Sequence, residues 1–336
     1  MKYRTFGRSG LRVSELFLGS MTFGENWGWG AAQDECRKIV QTYLEAGGNV
    51  IDTASGYTDG ASEQIVGELI HGERDRFVLS TKYSLTIDGA DPNASGNHRK
   101  SLRRSLEQSL TRLGTDWIDV LWVHIWDART PIEETMRALD DAVRAGKVLY
   151  VGISDAPAWV IARANTLAEL RGWSSFIGLQ LPYSLTQRDI EQELLPMADS
   201  FGLSTAAWSP LAAGLLTGKF TRGAQDGPSR VDRAQLTERD LRIAATVDRV
   251  ADQLGASSSQ VALAWTRAHR ESIHPIIGAR TAAQLADNLA AADLVLPGEL
   301  VDALDAASGI DPTFPYDFIA STAEFVYGPV GASVQP

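Results

Sequence analysis

Trp117-Ile-Asp-Val-Leu-Trp-Val-His124 is a near-continuous apolar run that ends on a histidine. Upstream of it, Leu102, Leu106, Leu110 and Leu113 recur at helical spacing. Downstream, Ile132, Met136, Leu139 and Val143 do the same, with Gly146 as the stop. An apolar strand between two amphipathic helices is the repeating unit of a parallel sheet covered on its outer face. The unit recurs in both directions along the chain.

Towards the N-terminus lie Phe77-Val-Leu-Ser-Thr-Lys82, then Asn49-Val-Ile-Asp52 with a helix over about 62–70, then Leu16-Phe-Leu-Gly19. After that first strand, Cys36, Ile39, Val40, Tyr43 and Leu44 form a helical stripe ending at Gly47-Gly48. Towards the C-terminus lie Val148-Leu-Tyr-Val-Gly-Ile153, a helix from about Pro157, Phe176-Ile-Gly-Leu-Gln-Leu181, Leu203-Ser-Thr-Ala-Ala-Trp208 and His274-Pro-Ile-Ile-Gly278. Helices at 238–253 and 257–270 precede the last strand, and helices at 281–291 and 298–307 follow it. Eight strands separated by helices in 336 residues predict a (β/α)8 barrel of the α/β class, a TIM barrel. A doubly wound sheet is the alternative, but eight consecutive units without a break favour closure. Residues 2–14 read as a hairpin closing one end, so the expected division is a barrel over 1–310 and a tail over 311–336. Phe314, Tyr316, Phe318, Phe325 and Tyr327 give that tail an aromatic content that predicts packing on the body or on a partner. The rhythm breaks at 86–98 and 217–235, turn-rich stretches of lid length.

Forty-two acidic against 31 basic residues give a net charge of −11, which argues against a nucleic-acid partner. No run approaches the ~18 apolar residues of a membrane span, so no membrane partner is expected. The lone Cys36 excludes an intrachain disulfide and sits on an apolar stripe as core filler. A cytoplasmic protein follows from these features, and its oligomeric state is not encoded in them.

Barrel enzymes carry their chemistry just beyond the C-terminal ends of the strands. Asp52, Lys82 and His124 occupy that position on strands two, three and four, and Tyr57 lies one turn beyond Asp52 in Ile51-Asp-Thr-Ala-Ser-Gly-Tyr57. Singly, each has an ordinary structural reading; together on neighbouring strands they read as a site. Five histidines and one cysteine form no HExxH or CxxC pattern, and GxSxG is absent, so neither a metal nor a serine nucleophile is indicated. A phenol whose acidity is raised by a lysine cation, itself held by Asp52, suits protonation of a carbonyl oxygen, with His124 orienting the carbonyl. Hydride transfer matches that proton. GxGxxG is absent, which leaves the barrel's usual phosphate loops after strands seven and eight. They are Trp208-Ser-Pro-Leu-Ala-Ala-Gly-Leu-Leu-Thr-Gly-Lys219 and Gly278-Ala-Arg-Thr-Ala-Ala-Gln-Leu-Ala-Asp-Asn288. The second opens a helix whose amides favour a phosphate, with Arg280 as the cation beside it. Trp208 is either a flat platform for a nicotinamide ring or a core aromatic.

These segments, with Leu18-Gly-Ser-Met-Thr-Phe-Gly24, Asp52-Thr-Ala-x-x-Tyr57, Ser80-Thr-Lys82, His124-x-x-Asp127, Gly152-Ile-Ser154, Leu179-Gln180 and Trp208-Ser-Pro-Leu211, closely resemble the aldo-keto reductase family over residues 2–310. The resemblance implies NADPH-dependent reduction of a small-molecule carbonyl substrate, with Tyr57 as proton donor and Asp52, Lys82 and His124 as its partners. It implies that Ser154, Asp155 and Gln180 hold the nicotinamide carboxamide and that Trp208 stacks on the ring. By the same resemblance Ser209, Leu211, Gly214 and Lys219 meet the pyrophosphate, and Gly278, Arg280, Gln284 and Asn288 the adenosine phosphate.

Two departures stand out. Asp155 replaces a common Asn, and either receives the carboxamide or caps the helix at Pro157; Asp287 replaces a common Glu near the adenine. Arg280 favours NADPH, with NADH as the second possibility. Trp27, Trp29, Tyr83 and Trp126 are the candidate walls of an aromatic substrate pocket, with Trp126 equally readable as packing. An aromatic aldehyde, a methylglyoxal-like carbonyl or a keto-sugar would suit such walls. The competing function is a slow, cofactor-sensing regulatory subunit resembling potassium-channel beta subunits, which turnover on aldehydes such as 4-nitrobenzaldehyde would distinguish.

Overall fold

The computed structural model describes residues 1–86, 88–223 and 231–328. Residue 87 of the first expected loop, residues 224–230 of the second and residues 329–336 of the expected tail lie outside the described residues. The chain opens with an antiparallel pair, β1 (Tyr3–Thr5) and β2 (Arg12–Ser14). The barrel units follow: β3 (Phe17–Gly19) with α1 (Gln33–Glu45), β4 (Val50–Asp52) with α2 (Ala61–Ile70), and β5 (Val78–Tyr83) with α3 (Arg99–Leu113). Next come β6 (Ile118–Val123) with α4 (Ile132–Arg144), β7 (Val148–Ser154) with α5 (Ala158–Arg171), and β8 (Phe176–Pro182) with α6 (Leu194–Phe201). β9 (Ser204–Trp208) leads to α7 (Glu238–Leu254) and α8 (Ser258–Ala268), and β10 (Ile273–Ile277) to α9 (Ala282–Leu289) and α10 (Gly298–Ser308).

β3 to β10 pair in parallel, and β10 pairs with β3, so the sheet closes into a barrel and the doubly wound alternative is excluded. Closure follows from the side-chain pattern. Outward residues such as Leu79, Leu121 and Val151 join Leu102, Leu106 and Met136 of the helices in one large core. Inward Val50, Val78, Val120 and Trp122 fill the lower end of the barrel with Phe6 and Phe17. The hairpin delivers Phe6 as a plug: its ring lies 5.7 Å from Phe17, 5.5 Å from His274 and edge-on to Trp122 at 6.2 Å. The lower end is thus packed shut, and chemistry is confined to the other end.

Local signals set the helix ends. Thr237 with Asp240 and Ser257 with Gln260 form reciprocal capping boxes at α7 and α8. Helix α6 has no counterpart in the periodic reading, since it is short and carries Pro196 in its first turn, where the missing amide has no helical partner to lose. The tail forms two short helices, α11 (Tyr316–Ser321) and α12 (Ala323–Tyr327), anchored where the Thr313 amide and hydroxyl donate to Gln192 Oε1. The expected packing of its aromatics on the body is not found: Phe314, Phe318 and Phe325 are 77%, 59% and 90% exposed.

Two glycines make room for the plug. A Cβ on Gly152 would come within 2.3 Å of the Trp122 ring, and one on Gly178 within 2.5 Å of the Phe6 ring. Gly178→Ala is expected to destabilise the fold by about 1–3 kcal/mol, read as a lower urea midpoint, because a closed lower layer cannot absorb a methyl group. Phe6→Leu in the same chain should recover part of the loss; an additive effect of the two changes would show that they do not meet.

Candidate active site

Asp52 ends β4, Lys82 is the penultimate residue of β5 and His124 follows β6, and parallel pairing of these neighbouring strands brings their side chains to one mouth. Inward direction alternates along β5, so Ser80 and Lys82 face the barrel axis. Lys82 Nζ donates to Asp52 Oδ2 at 2.5 Å, to the Thr53 carbonyl at 2.8 Å and to Tyr57 Oη at 2.9 Å. Asp52 Oδ1 accepts from Ser80 Oγ at 2.6 Å and from Gln180 Nε2 at 3.0 Å. Tyr57 opens a tight turn in which Thr58 and Asp59 take left-handed φ values of 46° and 58°, and its ring meets that of His124 edge-on at 6.1 Å.

The lysine and aspartate side chains are only 1% and 2% exposed. Burial opposes the ammonium, yet Asp52 and Tyr57 together hold Lys82 above its ordinary range, so it remains a cation. For Tyr57 the outcome differs from the expected acidic phenol. Burial raises its pKa, the Lys82 charge opposes that, and the net direction is upward. The resting phenol therefore keeps its proton. His124 is pushed down to about 3 by burial and then by Lys82, so it is a neutral imidazole, and its buried Nδ1 has no partner among the described residues.

The segments expected to meet a dinucleotide flank this mouth. Trp208, half-buried at the end of β9, donates its indole N–H to Asp155 Oδ1 at 3.2 Å. Asp155 has a left-handed φ of 44°, a conformation Asp tolerates better than most residues, and burial raises its carboxyl. It does not cap α5, whose N-cap is Pro157 without a side-chain bond. Ser154 is buried beside it, and Gln180 spends one donor on Asp52. Beyond β9, Ser209, Ala212 and Ala213 take positive φ, Leu211 accepts the amide of Gly214, and Gly214 leaves the space in which the Lys219 ammonium sits; a Cβ there would lie 3.1 Å from Nζ. At α9, Gly278 and Asn288 are tied by a 3.4 Å bond from Asn288 Nδ2, and Arg280 donates its amide to Gln284 Oε1 at 3.0 Å. Asp287 faces away, accepting from Ser257 and Gln260 of the neighbouring α8 region. Two cationic side chains beside tight turns and a half-buried indole suit the phosphates and flat ring of a dinucleotide.

Of the four residues read as pocket walls, Tyr83 requires correction. It follows inward Lys82, so alternation turns it outward into the helix layer, where it is 1% exposed and donates to the Asn97 carbonyl at 3.3 Å. Trp27 and Trp29 lie together, 5.7 Å apart, on a loop tied to the Tyr57 turn by Asn26 Nδ2 to the Thr58 carbonyl at 3.1 Å. Trp126 packs edge-on against exposed Trp159 at 5.7 Å. Trp159 escaped the sequence reading because it belongs to the helix after β7, far from Trp126 in sequence.

A family model of the aldo/keto reductase family matches residues 15–308. A norsolorinic acid reductase of Aspergillus flavus is 38% identical over 94% of this chain and 82% of its own length. An aryl-alcohol dehydrogenase [NADP(+)] of Phanerodontia chrysosporium is 35% identical over 91% of this chain and 86% of its own. An aldo-keto reductase of Emericella nidulans is 36% identical over 92% and 82%, respectively.

The two buried imidazoles contribute to the acid response. His274, enclosed by Phe6 and Phe17, is pushed down to about 4 by burial, as His124 is to about 3. The unfolded chain protonates both near the ordinary value of 6.5, whereas the fold refuses those protons. Their contribution to stability is thus fully present above pH ~6.5 and is lost as pH drops towards 4 and 3. Urea midpoints at pH 7.5 and 5 should show this loss, and His124→Gln should reduce it; an unchanged pH response in that variant would show that His124 is not buried neutral.

Proposed function

Since this chain belongs to the aldo/keto reductase family and is an oxidoreductase, we propose that it reduces an aldehyde or ketone to the alcohol with NADPH, Tyr57 giving the proton. The observation that carries the reading is the Lys82 ammonium, 2.9 Å from the Tyr57 hydroxyl and anchored on Asp52 at 2.5 Å. When bound, NADPH supplies the hydride. The chain's own residues handle the proton and the geometry.

As the carbonyl carbon takes hydride, the C=O π bond opens and negative charge grows on oxygen. Tyr57 Oη then passes its proton to that oxygen, and the phenolate left behind is stabilised by the adjacent ammonium. His124, neutral, donates one hydrogen bond to the carbonyl and fixes its direction without competing for the proton. Ser80, Gln180 and Thr53 hold Asp52 and Lys82 in place. Ser154, Asp155 and Gln180 would hold the carboxamide, Trp208 the ring, and Ser209, Leu211, Gly214, Lys219, Gly278, Arg280, Gln284 and Asn288 the phosphates and adenosine.

Trp27, Trp29, Trp126 and Trp159 favour an aromatic carbonyl, in keeping with the relative named as an aryl-alcohol dehydrogenase. A cytoplasmic location suits the acidic balance and the buried Cys36, whose thiol burial pushes up to about 11.

Tyr57→Phe should lower kcat on 4-nitrobenzaldehyde by about 10²–10⁴-fold while leaving the Kd for NADPH within about twofold, because it removes a proton donor and little volume. Activity near wild type in that variant would overturn the assignment. Arg280→Ala should raise the Kd for NADPH by about tenfold or more and that for NADH much less, read by fluorescence titration, since a lost charge-assisted phosphate bond is worth about 1.5–3 kcal/mol. Equal losses would mean that Arg280 does not meet the 2′-phosphate.

A further inference from the structure

The amides at the start of α9 already have acceptors. Thr281 Oγ1 accepts from the Gln284 amide at 3.2 Å, and Gln284 Oε1 accepts from the Arg280 amide at 3.0 Å. A third acceptor comes from the neighbouring helix: Glu35 of α1, 247 residues away in sequence, takes the Ala282 amide on Oε1 at 2.8 Å. Lys38 Nζ sits 3.0 Å from its other oxygen. The Ala282 amide first, and then Lys38, hold the Glu35 carboxyl below its ordinary range, so a full negative charge faces the positive end of this helix. Glu35 has no part in the proton chemistry at the mouth, 247 residues of separation hide it from any local motif, and its placement is not needed to cap α9, which Thr281 already caps.

An anion seated on that first turn meets a resident anion, and a hydroxyl meets an acceptor. NADPH and NADH differ in just this respect at the adenosine 2′ position, a phosphate in one and a hydroxyl in the other. We propose that Glu35 is a specificity-determining residue for the cofactor: it competes with the 2′-phosphate for the first turn of α9 and narrows the preference for NADPH over NADH. This inference rests on the reductase reading and deepens it. Arg280 and Glu35 then act in opposite directions on one group, and Lys38 moderates Glu35. In a water-like medium with ordinary salt, repulsion between a phosphate dianion and a neighbouring carboxylate is on the order of three- to tenfold in binding.

Calorimetric titration of NADP+ and NAD+ into the wild-type chain, Glu35→Gln and Lys38→Met tests it, with oxidised cofactors so that no turnover intrudes. Glu35→Gln keeps an oxygen acceptor for the Ala282 amide and removes only the charge. It should tighten NADP+ by about three- to tenfold and leave NAD+ unchanged or weaker, with the difference shrinking at high salt. Lys38→Met should weaken NADP+, since it bares the carboxylate. A ratio of the two Kd values in Glu35→Gln within twofold of wild type would overturn this inference alone. A wild-type chain that binds neither nucleotide would overturn the reductase reading and this inference with it.

Discussion

The ion pair between Lys82 and Asp52 is the constraint on which the rest of the site depends. Both charges are almost fully removed from water, and the bare cost of burying such a pair commonly exceeds its Coulombic return. Here the remaining hydrogen-bonding capacity is taken up: the ammonium has the Thr53 carbonyl and the Tyr57 hydroxyl, and the carboxylate has Ser80 and Gln180. Those partners come from β5, β8 and the segment that follows β4. Only a closed barrel brings β8 opposite β4, so the pair is affordable in this fold and would be a liability in an open sheet. The stabilising work is done elsewhere, by the apolar layers below and outside it.

That division is spatial. The lower layer is apolar and plugged by Phe6, with His274 kept neutral between two aromatic rings. The upper mouth holds the Lys82 cation, the Asp52 carboxylate, the neutral His124 imidazole and the Tyr57 phenol. A fold that stores its packing at one end of the strands can tolerate strain at the other, and the positive φ values at Thr58, Asp155, Ser209, Ala212 and Ala213 all fall in loops just after strand ends.

The parts of this arrangement legible in the sequence are those governed by local period. Apolar runs ending on Asp52, Lys82 and His124 announced both the strands and the shared face, and closure followed from counting units. Tyr83 is an aromatic beside Lys82 in sequence but not in space, because successive strand residues point to opposite sides. Helix α6 was missed because Pro196 interrupts its pattern. The tail aromatics were expected to find cover, yet amphipathic content says only that a surface exists, not what meets it. Glu35 was invisible for a different reason: its meaning lies in a bond to an amide 247 residues away, and no local pattern encodes that.

The phenol's proton affinity bears most directly on the proposed chemistry. A lysine beside a tyrosine suggests an acidic phenol, but burial outweighs the ammonium here and the resting group holds its proton. A donor needs that property. A phenol ionised at rest would have nothing to give, and its charge would repel the oxygen on which charge must grow. With the proton retained, transfer is driven only once the carbonyl oxygen becomes the stronger base, and Lys82 then favours the product phenolate over the reactant phenol. His124 must be neutral for the same reason, since an imidazolium would be a more acidic competitor at the same oxygen. Its suppressed basicity comes from burial and from Lys82. Burial therefore sets both resting protonation states, the Lys82 cation reinforcing it at His124 and opposing it at Tyr57, and Asp52 is the residue that keeps that cation charged.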